Sequence, residues 1–254
     1  VKIASWNVNS LRVRLPQVLA WINTTQPDIL ALQETKVTDE LFPTAEIEAA
    51  GYSTVFSGQK TYNGVAILAK HPIDEVLTDI PGLEEPQRRI LGATIGEVRV
   101  LNLYVINGTE VGSEAYTYKL HWLDQVRAYV QAQVGHYPLC VIVGDFNIAP
   151  DDRDVYDPEI WHEKILCSAS ERAKLRSLLD LGYEDTFRLF DQPANSFSWW
   201  DYRTAGFRRN AGLRIDLILA NNALSKRCLF STIDPRPRGL KRPSDHAPVI
   251  AEFR

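Results

Sequence analysis

Short apolar runs rich in valine and isoleucine recur along this chain, and several stop abruptly on a carboxylate, an amide or a histidine. The runs cover residues 2–8, 28–33, 52–57, 64–70, 90–95, 98–106, 139–144, 214–220 and 247–253. Each is of strand length and bounded by turn residues. Gly96-Glu97, between two of them, reads as a tight hairpin and implies antiparallel pairing. Helical patterns lie between the strands. One is expected from Leu15 to Thr24, starting near Pro16. A second spans Tyr116 to Val134, with Leu120, Leu123, Val126, Val130 and Val134 at helical spacing. A third opens on the capping box Ser168-Ala169-Ser170-Glu171 and stops at Gly182. The pattern predicts an α/β fold of two packed sheets with helices outside. A doubly wound parallel sheet is the competing arrangement, and the hairpin and long β stretches count against it.

No Gly/Ser or Pro-rich linker and no repeat divides the 254 residues, so one domain over residues 1–254 is expected. The longest apolar runs fall far below the ~18 residues that suggest a membrane span, and the first residues hold no apolar signal core. The expectation is a soluble, cytoplasmic protein, acting as a monomer and without a membrane partner. Three cysteines, Cys140, Cys167 and Cys228, stand at wide spacings with no CxxC. That pattern argues against disulfides and structural zinc, and for burial as small apolar side chains.

The net charge is −4, but it is unevenly spread. Between Trp199 and Arg242 ten Lys/Arg face three Asp/Glu, giving +7 locally and −11 elsewhere. A basic segment carrying aromatics suits a polyanion. The plainer alternative is that its arginines are solvated or paired with acids elsewhere.

The polar strand ends are Asn7, Glu34, Tyr104 with Asn107, Asp145 with Asn147, Asp216, and Asp245-His246. Any one alone is an ordinary turn residue. Strands packed side by side would bring the six positions to one rim, where clustered charge calls for a ligand. There is no GxSxG elbow and no phosphate loop ending in Lys-Ser/Thr. Cys140 sits inside an apolar run, which suits packing better than attack. Carboxylates and amides without thiolates favour hard cations, Mg²⁺ or Mn²⁺. A histidine beside an aspartate suits proton handling and phosphate polarisation. This composition points to metal-assisted hydrolysis of a phosphate ester.

The spaced motifs Trp6-Asn7-Val8-Asn9, Gln33-Glu34-Thr35-Lys36, Tyr62-Asn63-Gly64, Gly144-Asp145-Phe146-Asn147, Trp200-Asp201-Tyr202-Arg203, Arg214-Ile215-Asp216 and Ser244-Asp245-His246-Ala247-Pro248 carry a resemblance. Their order resembles the endonuclease/exonuclease/phosphatase superfamily, in its exonuclease III branch of abasic-site DNA repair enzymes, over essentially the whole chain. The resemblance implies a four-layer αββα sandwich of two mixed β-sheets flanked by helices. It implies a Mg²⁺-dependent phosphodiesterase, with Mn²⁺ a possible substitute. Its partner would be double-stranded DNA with abasic sites or 3′ ends, attacked in line by water. Glu34 would be the principal metal ligand, with Asn7 and Asp245 completing the site. Asp145, helped by Asn147, would activate the water. His246 would contact the scissile phosphate, Asp216 would hold its ring, and Tyr104 and Asn107 would bind the same phosphate. Trp199 and Leu213 stand where the family packs residues against the extrahelical sugar. Arg88, Arg89, Lys36 and Tyr62 are further DNA-contact candidates. Trp200 and Phe207 read equally as core.

The run after Tyr104 departs from the family pattern, with Ile106 where proline is usual. The stretch from Asp151 to Ser170 is expected to border the DNA cleft, with bulk near Leu166 affecting access of an abasic sugar. Two other readings remain: a phosphatase acting on a small or lipid phosphate, and a non-catalytic DNA-binding module. The basic, tryptophan-bearing segment speaks against the first. The full set of candidate catalytic residues speaks against the second.

Overall fold

The computed structural model describes residues 1–83 and 86–254. Its strands are β1 (Lys2–Asn7), β2 (Ile29–Gln33), β3 (Ser53–Ser57), β4 (Val65–Ala69), β5 (Ile73–Leu77), β6 (Ile90–Ile95) and β7 (Val98–Tyr104), followed by β8 (Leu139–Asp145), β9 (Tyr183–Asp185), β10 (Trp199–Trp200), β11 (Gly212–Leu213), β12 (Asp216–Asn221), β13 (Cys228–Ile233) and β14 (Val249–Phe253). One sheet has the order β13-β14-β1-β2-β4-β3, and the other β5-β6-β7-β8-β12-β9. Each mixes one parallel pair, β1/β2 or β7/β8, with antiparallel neighbours. Between them, β10 and β11 form a separate two-stranded ribbon in chain order. The expected hairpin is present: Ile95 pairs with Val98 across Gly96-Glu97, and Gly96 takes a left-handed φ of 58°.

The helices used below are α1 (Leu11–Thr25), α2 (Thr44–Ala49), α3 (Glu114–Gln133), α4 (Pro158–Trp161) and α5 (Ala169–Leu179). Alternation along the strands sorts their side chains into layers. Ile3, Ile29, Ala31, Val65 and Ile67 of the first sheet meet Leu91, Val100, Val141, Val143 and Ile218 of the second. The opposite face of the first sheet, with Trp6, Leu30 and Leu32, packs on Val18, Trp21 and Ile22 of α1. The outer face of the second, with Leu101, Ile142 and Leu217, packs on Trp122, Val126 and Leu175 of α3 and α5. Helix, sheet, sheet and helix therefore stack as the expected four-layer αββα sandwich. Among the described residues no helix is long and apolar enough to cross a membrane.

The helices differ from expectation at one end. The first begins at Leu11, a full turn before the expected start, and Pro16 lies inside it. The capping box at Ser168 and Glu171 is formed as expected. Edge strands β5, β9 and β13 and the ribbon strands β10 and β11 were not anticipated; β9, β10 and β11 are two or three residues long, and β5 and β13 carry exposed residues rather than a buried run. The three cysteines are free, and of these only Cys167 is fully buried.

Where the sheets face each other near their strand ends, a polar plug replaces the hydrophobic contact. Asn102 Nδ2 donates to the carbonyls of Leu32 (3.0 Å) and Ala66 (2.9 Å), and its Oδ1 accepts from Gln33 Nε2 at 2.8 Å. Gln33 also donates to Ser5 Oγ at 3.0 Å. Both amides are buried and bonded across the sheets, which fixes the register of one sheet against the other. Gln33 is followed by Glu34, and Asn102 lies two residues before Tyr104. The plug therefore forms the floor beneath the polar strand ends.

Candidate active site

Strand register brings the distant residues into rows. Tyr104 of β7 lies opposite Asp145 of β8, which lies opposite Asp216 of β12. Directly opposed residues share a face of a sheet, so three polar groups project together. Gly144 permits this closeness: its φ is 145°, and a Cβ there would sit 1.8 Å from the Leu103 carbonyl oxygen. Asn7 ends β1 opposite Gln33 of β2. His246 enters from the loop before β14 through a bridge to Trp199.

At the centre, Asn7 Nδ2 donates to Glu34 Oε1 and to Asp145 Oδ2, each at 2.9 Å. His246 Nδ1 bonds Asp216 Oδ2 at 2.9 Å, while its Nε2 lies 3.7 Å from Asp145 Oδ2. One ligand atom each of Glu34, Asp145 and His246 lies within 4.8 Å of the others. Asn147 donates its backbone N–H to Asp145 Oδ1 at 2.9 Å and its amide to the Val105 carbonyl. Asn107 Nδ2 reaches Asn147 Oδ1 at 3.3 Å.

Backbone conformations support a built site. Asn9, Ser10, Glu34, Lys36 and Asn147 all have left-handed φ, between 43° and 89°. Such residues cost about 1 kcal/mol or more each outside glycine, and they persist where the surroundings over-determine them.

The electrostatics follow from burial and like charge. Burial opposes the imidazolium of His246, but the carboxylates of Asp216, Asp145 and Asp245 outweigh it and lift its pKa to about 10. Asp145 is raised to about 7 by burial, with Asp216 and Glu34 adding to the rise and His246 and Asn7 opposing it. Burial also works against Glu34, yet the Lys36 ammonium, Asn7 and His246 hold its carboxyl below the ordinary range. Burial and the charges of Glu34 and Asp145 push the Tyr104 phenol well above its usual value.

The other expected residues are placed less centrally. Asp245 accepts from Asn9 Nδ2 at 3.0 Å and from Trp199 Nε1 at 3.1 Å, and does not belong to the Glu34–Asp145–His246 group. Lys36 lies in the site itself: its ammonium is 2.9 Å from Glu34 Oε2 and donates to Asn9 Oδ1 at 2.6 Å. Trp199 and Leu213 pair across β10 and β11, and both pack with Leu166 beside the site. Trp200 is buried edge-on to Phe207 and is core. Tyr62 and Arg88 are exposed on the rim, where the Arg88 carbonyl accepts from Gly64 N–H. Arg89 stacks over the Tyr104 ring at 4.6 Å.

The basic segment divides. Arg203, Arg208 and Arg209 are exposed. Arg214 is buried between Asp154 and Asp185, Arg236 pairs with Asp234, and Arg238 lies among Trp200, Tyr202 and Phe207. Part of the charge excess thus holds loops together.

Two contributors escaped the sequence reading. Ser198 Oγ donates to Asp216 Oδ2 at 2.7 Å and accepts the N–H groups of Ile215 and Asp216, locking the carboxylate against His246. Its only local signal is a small polar residue inside an aromatic run. Lys119 of α3 is wholly buried beneath the site with Glu171 of α5. Its signal was available: Tyr116, Lys119, Leu123, Val126 and Val130 follow one helical stripe.

Two carboxylates, a side-chain amide and an imidazole converge with no thiolate among them. The carboxylates of that group fit a hard divalent cation such as Mg²⁺.

Comparison with known proteins gives concordant matches. The sequence profile of the Endonuclease/Exonuclease/phosphatase family matches residues 4–246. The chain is 38% identical to exodeoxyribonuclease III of Haemophilus influenzae over the full length of both. Among solved structures it resembles the 3′ phosphatase NExo from Neisseria bound to product DNA hairpin, with TM-score 0.98, 46% identity and coverage of 100% of this chain and 99% of that one. It also resembles an AP endonuclease from Archaeoglobus fulgidus, with TM-score 0.96, 37% identity and the same coverage.

Proposed function

The chain belongs to the endonuclease/exonuclease/phosphatase family, and on that premise we propose that it is a metal-dependent DNA-repair phosphodiesterase of the exonuclease III kind. It hydrolyses the backbone 5′ to abasic sites, removes 3′-terminal nucleotides and 3′ blocking groups, or does both. One observation carries the reading: the Asp216–His246 pair stands against Asp145, Asn7 and Glu34 at the meeting point of the strand ends. The DNA-bound relative supports a duplex or hairpin as partner.

Each of those substrates loses the same bond, between phosphorus and a 3′ oxygen. Asp145 is placed to take the proton of an attacking water, and Asn147 fixes Asp145 through its backbone N–H. His246, kept cationic by Asp216, grips the phosphoryl oxygens as charge grows on them. Tyr104 and Asn107 orient the phosphate. Glu34 would be the principal holder of the cation, with Asn7 and Asp245 completing the site and Asp145 beside it in the same cluster. A bound Mg²⁺ supplies Lewis-acid stabilisation of the phosphoryl group. Trp199, backed by the buried Leu213, forms the wall for the extrahelical or terminal sugar. Lys36, Arg88 and Tyr62 serve the DNA rim, Lys36 through Glu34.

The proposal includes one domain over residues 1–254, supported by a core that draws on both sheets. It places the enzyme in the cytoplasm, supported by three free thiols suited to a reducing compartment.

The test uses labelled duplexes carrying either a synthetic abasic site or a recessed 3′ end, with Mg²⁺ or with chelator. Mg²⁺-dependent cutting 5′ to the abasic site, shortening of the recessed end, or both is expected. No cleavage of either duplex overturns the proposal.

A further inference from the structure

We propose that Lys119 is a positioning residue for the reaction, acting through the backbone of the two asparagines of the site; the inference rests on the phosphodiesterase reading above. Lys119 and Glu171 are both wholly buried, with Nζ 2.5 Å from Glu171 Oε1. A buried ion pair is a poor device for stability, since well-packed apolar residues of similar volume do as well or better. The other two ammonium protons give the pair a different purpose. They are donated to the backbone carbonyls of Asn147, at 2.7 Å, and Asn107, at 3.1 Å.

Those carbonyls belong to residues whose side chains meet in the site. Asn107 Nδ2 bonds Asn147 Oδ1, and the backbone N–H of Asn147 bonds Asp145. Asn147 holds a left-handed φ of 49°, so its direction depends on what fixes the peptide on either side. Lys119 fixes the carbonyl side and Asp145 the amide side. Gly108 closes over the lysine stem, since a Cβ there would lie 3.1 Å from Lys119 Cδ.

Glu171 extends the tie to a third loop. It accepts from the N–H groups of Leu166 and Ser168, both at 3.1 Å, and from Ser168 Oγ at 2.7 Å. Leu166 packs with Trp199 and Leu213 on the sugar side of the site. One ion pair thus joins the loop after β7, the loop after β8 and the loop entering α5. No other cation reaches the Asn107 and Asn147 carbonyls among the hydrogen bonds of the described residues.

The test is Lys119→Met/Glu171→Gln, which removes both charges together and leaves neither ion unpaired. Single-turnover cleavage at saturating Mg²⁺, duplex Kd and the thermal transition are measured beside wild type. The cleavage rate is expected to fall about 10²-fold, the scale of a misplacement near 1 Å, with Kd within about threefold and a cooperative transition retained. In an Asn147→Ala background the same pair of substitutions should cost at least about tenfold less, because the group being positioned is gone. Should the variant fail to fold, Lys119→Gln/Glu171→Gln is read by the same criteria. A single-turnover rate within about threefold of wild type overturns the inference. So does a loss explained by the Kd, or one that is additive with Asn147→Ala; each marks the pair as merely structural. Wild-type protein on the same duplex separates the two questions, because an inactive wild type overturns the proposed function itself.

Discussion

Asp216 Oδ2 sits 2.9 Å from His246 Nδ1 and is held there by the hydroxyl of Ser198. The carboxylate thereby sets both the orientation of the ring and its charge. With a pKa near 10, His246 is an imidazolium at neutral pH. Asp216→Asn should therefore cut cleavage about 10²-fold or more and move the alkaline limb of the kcat/KM profile. The sign follows from the raised pKa. The protonated form is the active one, so activity is lost as pH rises through it, and removing the carboxylate brings that loss toward neutral pH. A profile from pH 6 to 10.5 on an abasic duplex measures this.

Asp145 stands in the opposite relation to stability. Its folded pKa of about 7 exceeds the ordinary carboxylate value, so the fold binds a proton more tightly than the unfolded chain does. That contribution is full below about pH 4 and is lost as pH rises through 7. In chelator at pH 8, Asp145→Asn should melt above wild type. The gap should narrow steadily as pH falls from 7 toward 4, as followed by thermal denaturation. The same variant should be nearly inactive with Mg²⁺, placing the cost of a buried base on the fold.

Glu34 keeps its charge because Lys36, Asn7 and His246 surround it. Glu34→Gln should raise the Mg²⁺ concentration for half-maximal cleavage by about tenfold or more, while duplex binding in chelator changes little. Titration of Mg²⁺ at fixed substrate gives the shift.

The arginines of the basic segment should separate in two assays. Arg208 is exposed, and Arg208→Ala should lower the slope of log Kd against log salt by about one if it neutralises one phosphate. Arg214 is buried between two aspartates, and Arg214→Met should leave that slope unchanged while costing about 3–5 kcal/mol of stability. Fluorescence anisotropy and urea denaturation distinguish them.

These cases mark what local sequence could show. The strand ends were legible because a β-run interrupted by Asp, Asn or Glu is a local pattern, and register then gathers them: Tyr104, Asp145 and Asp216 fall in one row. The Ser168–Glu171 box was legible for the same reason. The start of α1 was not. Its first turn is satisfied from across the molecule, by Ser10 N–H to the Glu34 carbonyl and Leu11 N–H to that of Thr35, with no side-chain cap. Pro16 therefore misled. Ser198 was hidden because its partner Asp216 is 18 residues away, and the apolar stripe that carries Lys119 did not reveal its partner Glu171, 52 residues away. The surplus of positive charge near Arg214 looked like a DNA surface because Asp154 lies 60 residues before it.

Strand β14 occupies an interior place, between β13 and β1, and the loop leading into it delivers Asp245 and His246. A ribosome has therefore made more than nine-tenths of these residues before the imidazole exists, and the first sheet cannot close around β1 until the strand behind it arrives. An unfinished chain carries most of the acids and arginines but lacks the cation that grips the phosphate.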